Sequence, residues 1–284
     1  MPFVQEYTQS LKYPGAEEIV DLAIYRPAGF VFVKCIYKFP VTPNQVSFLS
    51  MIVGLFAGWQ FAIGSNGRLI LGGLLLAVSI VLDCADGQIA RLKNNGTALG
   101  RIIDGVADYV VGVAVFIGIG IGLSRFANEL WTVVILTGVS SALHAILFDR
   151  YQSVFISIIK GETNSLIQEI EKFSSQLHAM KRERKFSPKI ILTTIYLNYL
   201  SLQQKSEIKV ENIRHDAESY RKEHARMIRL WSFLGPSTNR TLLILCAFLG
   251  RIDWFCWGVL VVGNCWLAVC IFLQKRVHKK SLVH

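Results

Sequence analysis

The sequence predicts an all-α, polytopic integral membrane protein: six transmembrane helices, an N-terminal interfacial helix and a cytoplasmic helical insertion. Three observations carry that expectation. Hydrophobic residues make up 52% of the 284-residue chain and charged residues only 18%, whereas soluble domains carry roughly 25% charged residues. Mean hydropathy is +0.41. The apolar residues are bunched into runs that approach the ~20 residues a helix needs to cross a bilayer. Disordered, collagenous and disulfide-scaffold classes are thereby excluded.

The elements follow in order. Residues 1–43 read as a cytoplasmic and interfacial segment. Its first 16 residues are polar and carry no secretory signal. Residues 17–39 are apolar but interrupted by Arg26, Pro27, Lys34 and Lys38, which suits a helix lying in the interface better than a span. Residues 44–149 hold four expected spans, near 44–64, 69–92, 99–123 and 130–149. Spans two and three meet through the turn signal Asn94-Asn95-Gly96. Residues 150–230 are a charged insertion in which Ile167, Ile170, Phe173, Leu177 and Met180 recur at helical spacing, with Ile191, Ile195 and Leu202 less regular. It reads either as a helical subdomain packed on itself or on head groups, or as a partner-binding or gating element. Residues 231–284 hold spans near 231–250 and 253–273 and a basic tail suited to an anionic leaflet.

The net charge of +10 is distributed asymmetrically. The segment before span one, the turn between spans two and three, the insertion and the tail hold 4, 3, 15 and 4 basic residues, while the opposite loops hold only Arg68, Arg125 and Arg251. The positive-inside rule then places both termini and the polar junction of spans two and three in the cytoplasm. The charge is therefore topological, and no nucleic-acid partner is expected. The six cysteines form no CxxC pair and sit in or beside apolar segments, so they read as small buried hydrophobes rather than as a disulfide framework or a zinc site.

Span two ends in DCADGQIARL and span three begins LGRIIDGVADYV. Asp83 and Asp86, at i and i+3, share one helix face; Asp104 and Asp108, at i and i+4, share another. The turn makes the two helices antiparallel neighbours, so four carboxylates converge at one end of a helix pair. One acid at the centre of a span already costs ~2.5–3.5 kcal/mol on insertion scales. The residues leave three solutions open: hard divalent cations bound by all-oxygen ligands, a salt-bridge network with Arg91 and Arg101, or a transport-type cation site. Gly87, Ala90 and Gly100 are small and permit close approach by a backbone or a flat ligand. The guanidinium of Arg91 is suited to phosphate oxygens.

The spacing Asp83-x2-Asp86-Gly87-x2-Ala90-Arg91-x8-Gly100-x3-Asp104-x3-Asp108 resembles the motif of the CDP-alcohol phosphotransferases (CDP-alcohol phosphatidyltransferases) at all eight of its fixed positions. The resemblance implies an enzyme of membrane phospholipid synthesis. In that chemistry an acceptor hydroxyl attacks the β-phosphorus of a CDP-alcohol, a phosphodiester forms and CMP leaves. It implies Asp83, Asp86, Asp104 and Asp108 as ligands of Mg²⁺ or Mn²⁺, expected as two ions. It also implies Asp108 as general base, and Asp83, Gly87, Ala90, Arg91 and Gly100 as the surface for CDP and phosphate. Asn44 and Ser47, at the polar entry to span one, are similar to a stretch near the nucleotide in that family, although Ser, Thr or Asn there is also an ordinary helix cap. The resemblance implies a homodimer in the cell membrane, with membrane lipids around it.

Arg240 interrupts an otherwise apolar span and should face a cavity or a partner unless it snorkels to the interface. It and Arg150 are candidates for the acceptor. His144 reads as a hydrogen-bonded helix histidine. CDP-diacylglycerol with a small polar acceptor such as inositol phosphate, glycerol phosphate or serine is the favoured substrate pair. The alternative is a donor of the CDP-ethanolamine or CDP-choline type with a lipid alcohol. A cation-coupled transporter, or a receptor or scaffold built on the insertion, are the competing classes. A transporter has no need of Gly87, Ala90, Arg91 and Gly100 at these intervals and usually shows a duplicated half.

Overall fold

The computed structural model describes residues 3–124, 130–160, 165–182 and 217–281, with positions 190, 193, 194 and 197 besides. The described residues are helical and contain no strand. They divide into two compact units: residues 1–149 with 229–284, and residues 150–228.

In the first unit, α1 (Phe3–Ser10) is followed by a π-turn over Asp21–Tyr25 that runs into α2 (Arg26–Ile36). Phe3 and Tyr7 of α1 meet the buried Phe30 edge-on, at centroid distances of 5.0 and 5.3 Å. Helices α3 (Pro43–Ile63), α4 (Asn66–Leu92), α5 (Ala98–Ser124) and α6 (Leu130–Lys160) follow. Thr42 and Gln45 make a reciprocal capping box at the start of α3, and Gly64 at φ 74° ends it. Asn94, at φ 49°, turns the chain between α4 and α5, where the sequence places the turn. Lys93 fastens that turn by donating to the carbonyls of Phe39 and Val41, at 3.1 and 3.2 Å.

α3 packs directly on α4 and α5 because glycines remove side-chain bulk from the interface. A Cβ on Gly118 would strike the carbonyl of Gly58, and one on Gly122 the carbonyl of Phe61. A Cβ on Gly54 would come within 2.6 Å of Val111. This is the small-residue helix packing expected where apolar burial between helices gives no advantage over lipid. Ala57, Phe61, Leu76, Ile80, Val111, Val115 and Ile119 fill the seam. Trp59 on α3, Val113 on α5, and Ile135 and Val139 on α6 stand 58–62% exposed, an arrangement that suits acyl chains rather than water.

Among the described residues, five helices are long and apolar enough to cross a membrane: Pro43–Ile63, Asn66–Leu92, Gly100–Ser124, Leu130–Ile159 and Ile252–Val277. The expected span at 231–250 is divided. The end of α8 (Ala217–Trp231) and a 3-10 turn at Ser232–Leu234 precede Gly235, whose ψ of 156° is extended. Pro236 then starts α9 (Pro236–Phe248), since a proline without an N–H is tolerated at a helix start and not inside it. The 13 residues of α9 reach ~20 Å, against ~30 Å for a hydrocarbon core. A helix over Ile252–Trp257 (α10), a π-turn at Gly258–Gly263 and α11 (Asn264–Ser281) complete the unit.

The second unit takes the end of α6, α7 (Ser165–Arg182) and most of α8. Phe173 and Leu177 are buried. Tyr220 stacks on His224 at 4.0 Å and lies 6.1 Å from Phe155. The helical spacing expected at Ile191, Ile195 and Leu202 falls outside the described residues.

Candidate active site

The site is built where the last two turns of α4 pass the first turns of α5. One carboxylate oxygen each from Asp83, Asp86 and Asp104 lie within 4.8 Å of one another. Asp86 is buried and the other two half-buried. Ser47, buried on α3, donates to Asp86 Oδ2. Asp104 Oδ1 is buried and has no hydrogen-bond partner. Three acids crowded at this separation, one of them with an orphaned oxygen, are an expensive arrangement without a cation. The donor set is entirely hard oxygen, so Mg²⁺ or Mn²⁺ fits these residues.

Asp108 stands apart from that cluster. Its Oδ1 accepts from Arg240 Nη1 at 2.9 Å, and its backbone carbonyl from Arg240 Nη2 at 3.5 Å. Arg240 comes from the first turns of α9, whose start is fixed by the N-terminal segment. The buried Glu18 carboxylate accepts from the backbone N–H of Ser237 (3.1 Å), the backbone N–H of Thr238 (2.8 Å) and the Thr238 hydroxyl (2.7 Å). A Cβ on Gly235 would collide with that carboxylate. The hydroxyls of Tyr25 and Thr241 share a hydrogen bond of 2.7 Å. Arg240 thus faces the acid constellation from a held helix end.

Arg91 is positioned by α1. Its Nε donates to the Ser10 carbonyl, and its Nη2 is buried with no partner. Gln88, fully buried, donates to the Ser10 hydroxyl at 3.2 Å and to the Arg26 carbonyl at 3.1 Å. Gly87 leaves room for the guanidinium, since a Cβ there would sit 3.3 Å from Arg91 Nη2. Gly100 does the same at the mouth of α5: a Cβ there would lie 2.9 Å from Asn44 Oδ1 and 3.1 Å from Thr97 Oγ1. Asn44 and Gly100 are therefore neighbours, and Ser47 reaches into the aspartates. Ala90 lies on the same turn of α4 as Arg91, opposite Gly96.

Arg150 is half-buried at the start of the second unit. His144, on α6, hydrogen-bonds Asn264 Oδ1 through Nε2 at 3.1 Å, as a helix histidine satisfied by a neighbour does. The sequence reading missed Ser10, Glu17, Glu18, Arg26 and Gln88. Glu17 accepts from Arg26 Nε at 2.7 Å and from the Lys12 backbone at 2.8 Å. The available signal was the charges Glu17, Glu18 and Arg26 in the apolar stretch 17–39; both glutamates are buried, and Arg26 pairs with Glu17.

The family model described as CDP-alcohol phosphatidyltransferase matches residues 40–169. An archaetidylinositol phosphate synthase of Pyrococcus horikoshii is 30% identical over 109 residues, 38% of this chain and 54% of that protein. A phosphatidylinositol phosphate synthase of Corynebacterium glutamicum is 32% identical over 83 residues, 29% of this chain and 37% of that one. A ceramide phosphoethanolamine synthase of Drosophila melanogaster is 34% identical over 87 residues, 28% and 22% of the respective chains. The chain spans about half, or less, of the length of these relatives.

Proposed function

We propose that this protein belongs to the CDP-alcohol phosphatidyltransferase family, whose model matches residues 40–169, and that it transfers a phospho-alcohol group from a CDP-alcohol to an acceptor hydroxyl and releases CMP. One observation carries the reading: Asp83, Asp86 and Asp104 offer oxygens within 4.8 Å of one another. Asp83, Asp86 and Asp104 would hold a divalent cation, which would offset the charge of the diphosphate and of the departing CMP. The chain's own residues do the rest. Arg91 receives phosphate oxygens through the nitrogen left unpartnered beside Gly87. Asn44, Gly100 and Ala90 form the wall against which the nucleotide lies. Ser47 keeps Asp86 aimed inward. Asp108 takes the proton of the acceptor hydroxyl, and Arg240 helps to hold the acceptor.

The donor is CDP-diacylglycerol and the acceptor a small polar alcohol that bears an anionic group. The names of the Pyrococcus and Corynebacterium relatives and the arginine beside Asp108 support that pairing. The Drosophila relative's name favours the reverse case, in which a CDP-linked head group meets a lipid alcohol. The spans number six with α9 counted, the site faces the cytoplasm and the protein is a homodimer. The distribution of basic residues supports the orientation, and the family resemblance supports the dimer.

The test is CMP release by purified protein, with CDP-diacylglycerol or CDP-ethanolamine and a panel of acceptors, in Mg²⁺ or Mn²⁺. Release that needs an acceptor and is lost in Asp108→Asn is the expected result. Cation flux across proteoliposomes without any release of CMP points to a transporter and overturns the reading.

A further inference from the structure

The N-terminal segment lies outside residues 40–169, the stretch that the family model matches, yet it reaches the end of α4 that carries the aspartates. Ser10, the last residue of α1, is fully buried. Its carbonyl accepts from Arg91 Nε, 81 positions away. Its hydroxyl accepts from the side-chain amide of Gln88 at 3.2 Å, and the same nitrogen donates to the Arg26 carbonyl at 3.1 Å. Gln88 is fully buried one turn before Arg91. Gly29 lets α2 close over it, since a Cβ there would lie 2.8 Å from Gln88 Oε1. The chain after Ser10 is pinned as well. The backbone N–H groups of Lys12 and Tyr13 donate to Glu17 Oε1 at 2.8 and 3.3 Å, and Arg26 Nε donates to Glu17 Oε2 at 2.7 Å. Arg229 donates to the Pro14 carbonyl at 2.9 Å and to the Glu17 carbonyl at 3.0 Å. The Ser10 carbonyl therefore has a fixed place.

We propose that α1 aims Arg91, with Ser10 and Gln88 as positioning residues for the diphosphate of the donor, so that the N-terminal segment is a working part of the CDP-alcohol site. An arginine has a flexible stem but a rigid, planar fork of donors. Holding Nε on a carbonyl fixes the direction of both Nη atoms. Nη2 is left buried and unpartnered beside Gly87, and a buried donor without an acceptor is costly. An arriving phosphate oxygen relieves that cost. The freedom that Arg91 would lose on meeting the phosphate is already lost in the empty site, so binding tightens without any new contact to the ligand. Ser10 and Gln88 touch neither the donor nor a cation. Their effect passes wholly through Arg91, and it bears on donor affinity rather than on the chemical step.

This inference rests on the transferase reading, and the two fail differently. Calorimetry on full-length protein in lipid nanodiscs with Mn²⁺ measures the binding of CDP, which carries the diphosphate without the lipid. CMP release gives KM and kcat for the CDP-alcohol. Gln88→Leu removes both donations. It should weaken CDP binding and raise the donor KM about tenfold, less than the ~100-fold that a 1 Å misplacement can cost, with kcat within about twofold of the wild type. In an Arg91→Ala background the same substitution should change neither CDP binding nor the donor KM, because residues that act through one another are not additive. A merely structural role would act equally in both backgrounds. If Gln88→Leu lowers the thermal transition, Ser10→Ala carries the test. It keeps the carbonyl, loses the hydroxyl that Gln88 holds, and should weaken CDP binding severalfold, again only where Arg91 is present. Unchanged CDP affinity in both variants, or an equal loss with and without Arg91, overturns the positioning role and leaves the transferase standing. If the wild type releases no CMP with any donor and acceptor, the transferase reading itself has failed.

Discussion

Ser47 shows how a small side chain sets the competence of a charged one. It is buried on α3 and donates to Asp86 across 39 positions of sequence. Removing a group that orients a metal ligand typically costs about 10- to 100-fold in metal affinity, so Ser47→Ala should weaken Mn²⁺ binding, read by electron paramagnetic resonance, by about tenfold. Asp86→Asn should abolish it, and unaltered Mn²⁺ affinity in both would remove the aspartates as a cation site. Arg91→Ala should raise the KM for the CDP-alcohol and leave Mn²⁺ affinity unchanged, because the Arg91 Nε bond goes to the Ser10 carbonyl. The aspartates were legible because each sits at a fixed helical offset from the next. Ser10, Glu18 and Gln88 were not, because they meet hydrogen-bonding groups on segments 62 to 220 positions away, and no local period encodes such a pairing.

At the scale of elements, the N-terminal segment and α9 are one device. Glu18 is buried at the start of α9. Burial, with Asp21 nearby, pushes its carboxyl up to about 8, although Ser237 and Thr238 both donate to it. An unfolded chain releases that proton near the ordinary value of about 4.3. Between these values the folded chain keeps a proton that the unfolded chain has lost. Stability from this group is therefore complete below the lower value and declines as pH rises toward about 8. The thermal transition in detergent should fall with pH across that window in the wild type and run flatter in Glu18→Gln; parallel curves would exclude Glu18 as the source. The seam of α3 and α5 makes a different prediction. A Cβ at Gly118 meets backbone rather than a flexible side chain, so Gly118→Ala should destabilise by about 1–3 kcal/mol, the usual cost of overpacking. Gly67→Ala, with open space around its Cβ position, should not. The helices themselves were legible from their apolar runs. The break at Gly235-Pro236 was written in the sequence too, but an apolar window that runs across it averages the signal away.

At the scale of the molecule, charge and apolarity divide the labour. Leu249, Val262 and Trp59 are 66%, 67% and 60% exposed, so the outer surface of the helices is satisfied by lipid. The basic residues then decide which way the bundle sits. The polar ends of α4 and α5 carry the aspartates, and the exposed Asn94–Thr97 turn joins them, so the active site and this turn share one side of the membrane. On the six-span reading, Arg251, exposed between α9 and α10, belongs to the other side. In a background with the native cysteines replaced, Asn95→Cys should react with a membrane-impermeant maleimide only after inverted vesicles or broken cells expose the cytoplasmic face. Arg251→Cys should react in intact cells. The opposite pattern would place the aspartates outside, where no cytosolic CDP-alcohol reaches them, and the orientation argued from the lysines and arginines would be wrong even with every helix correctly placed. Labelling of both positions from one side would instead mean that α9, at 13 residues, does not cross, and that the chain returns on the face from which it entered.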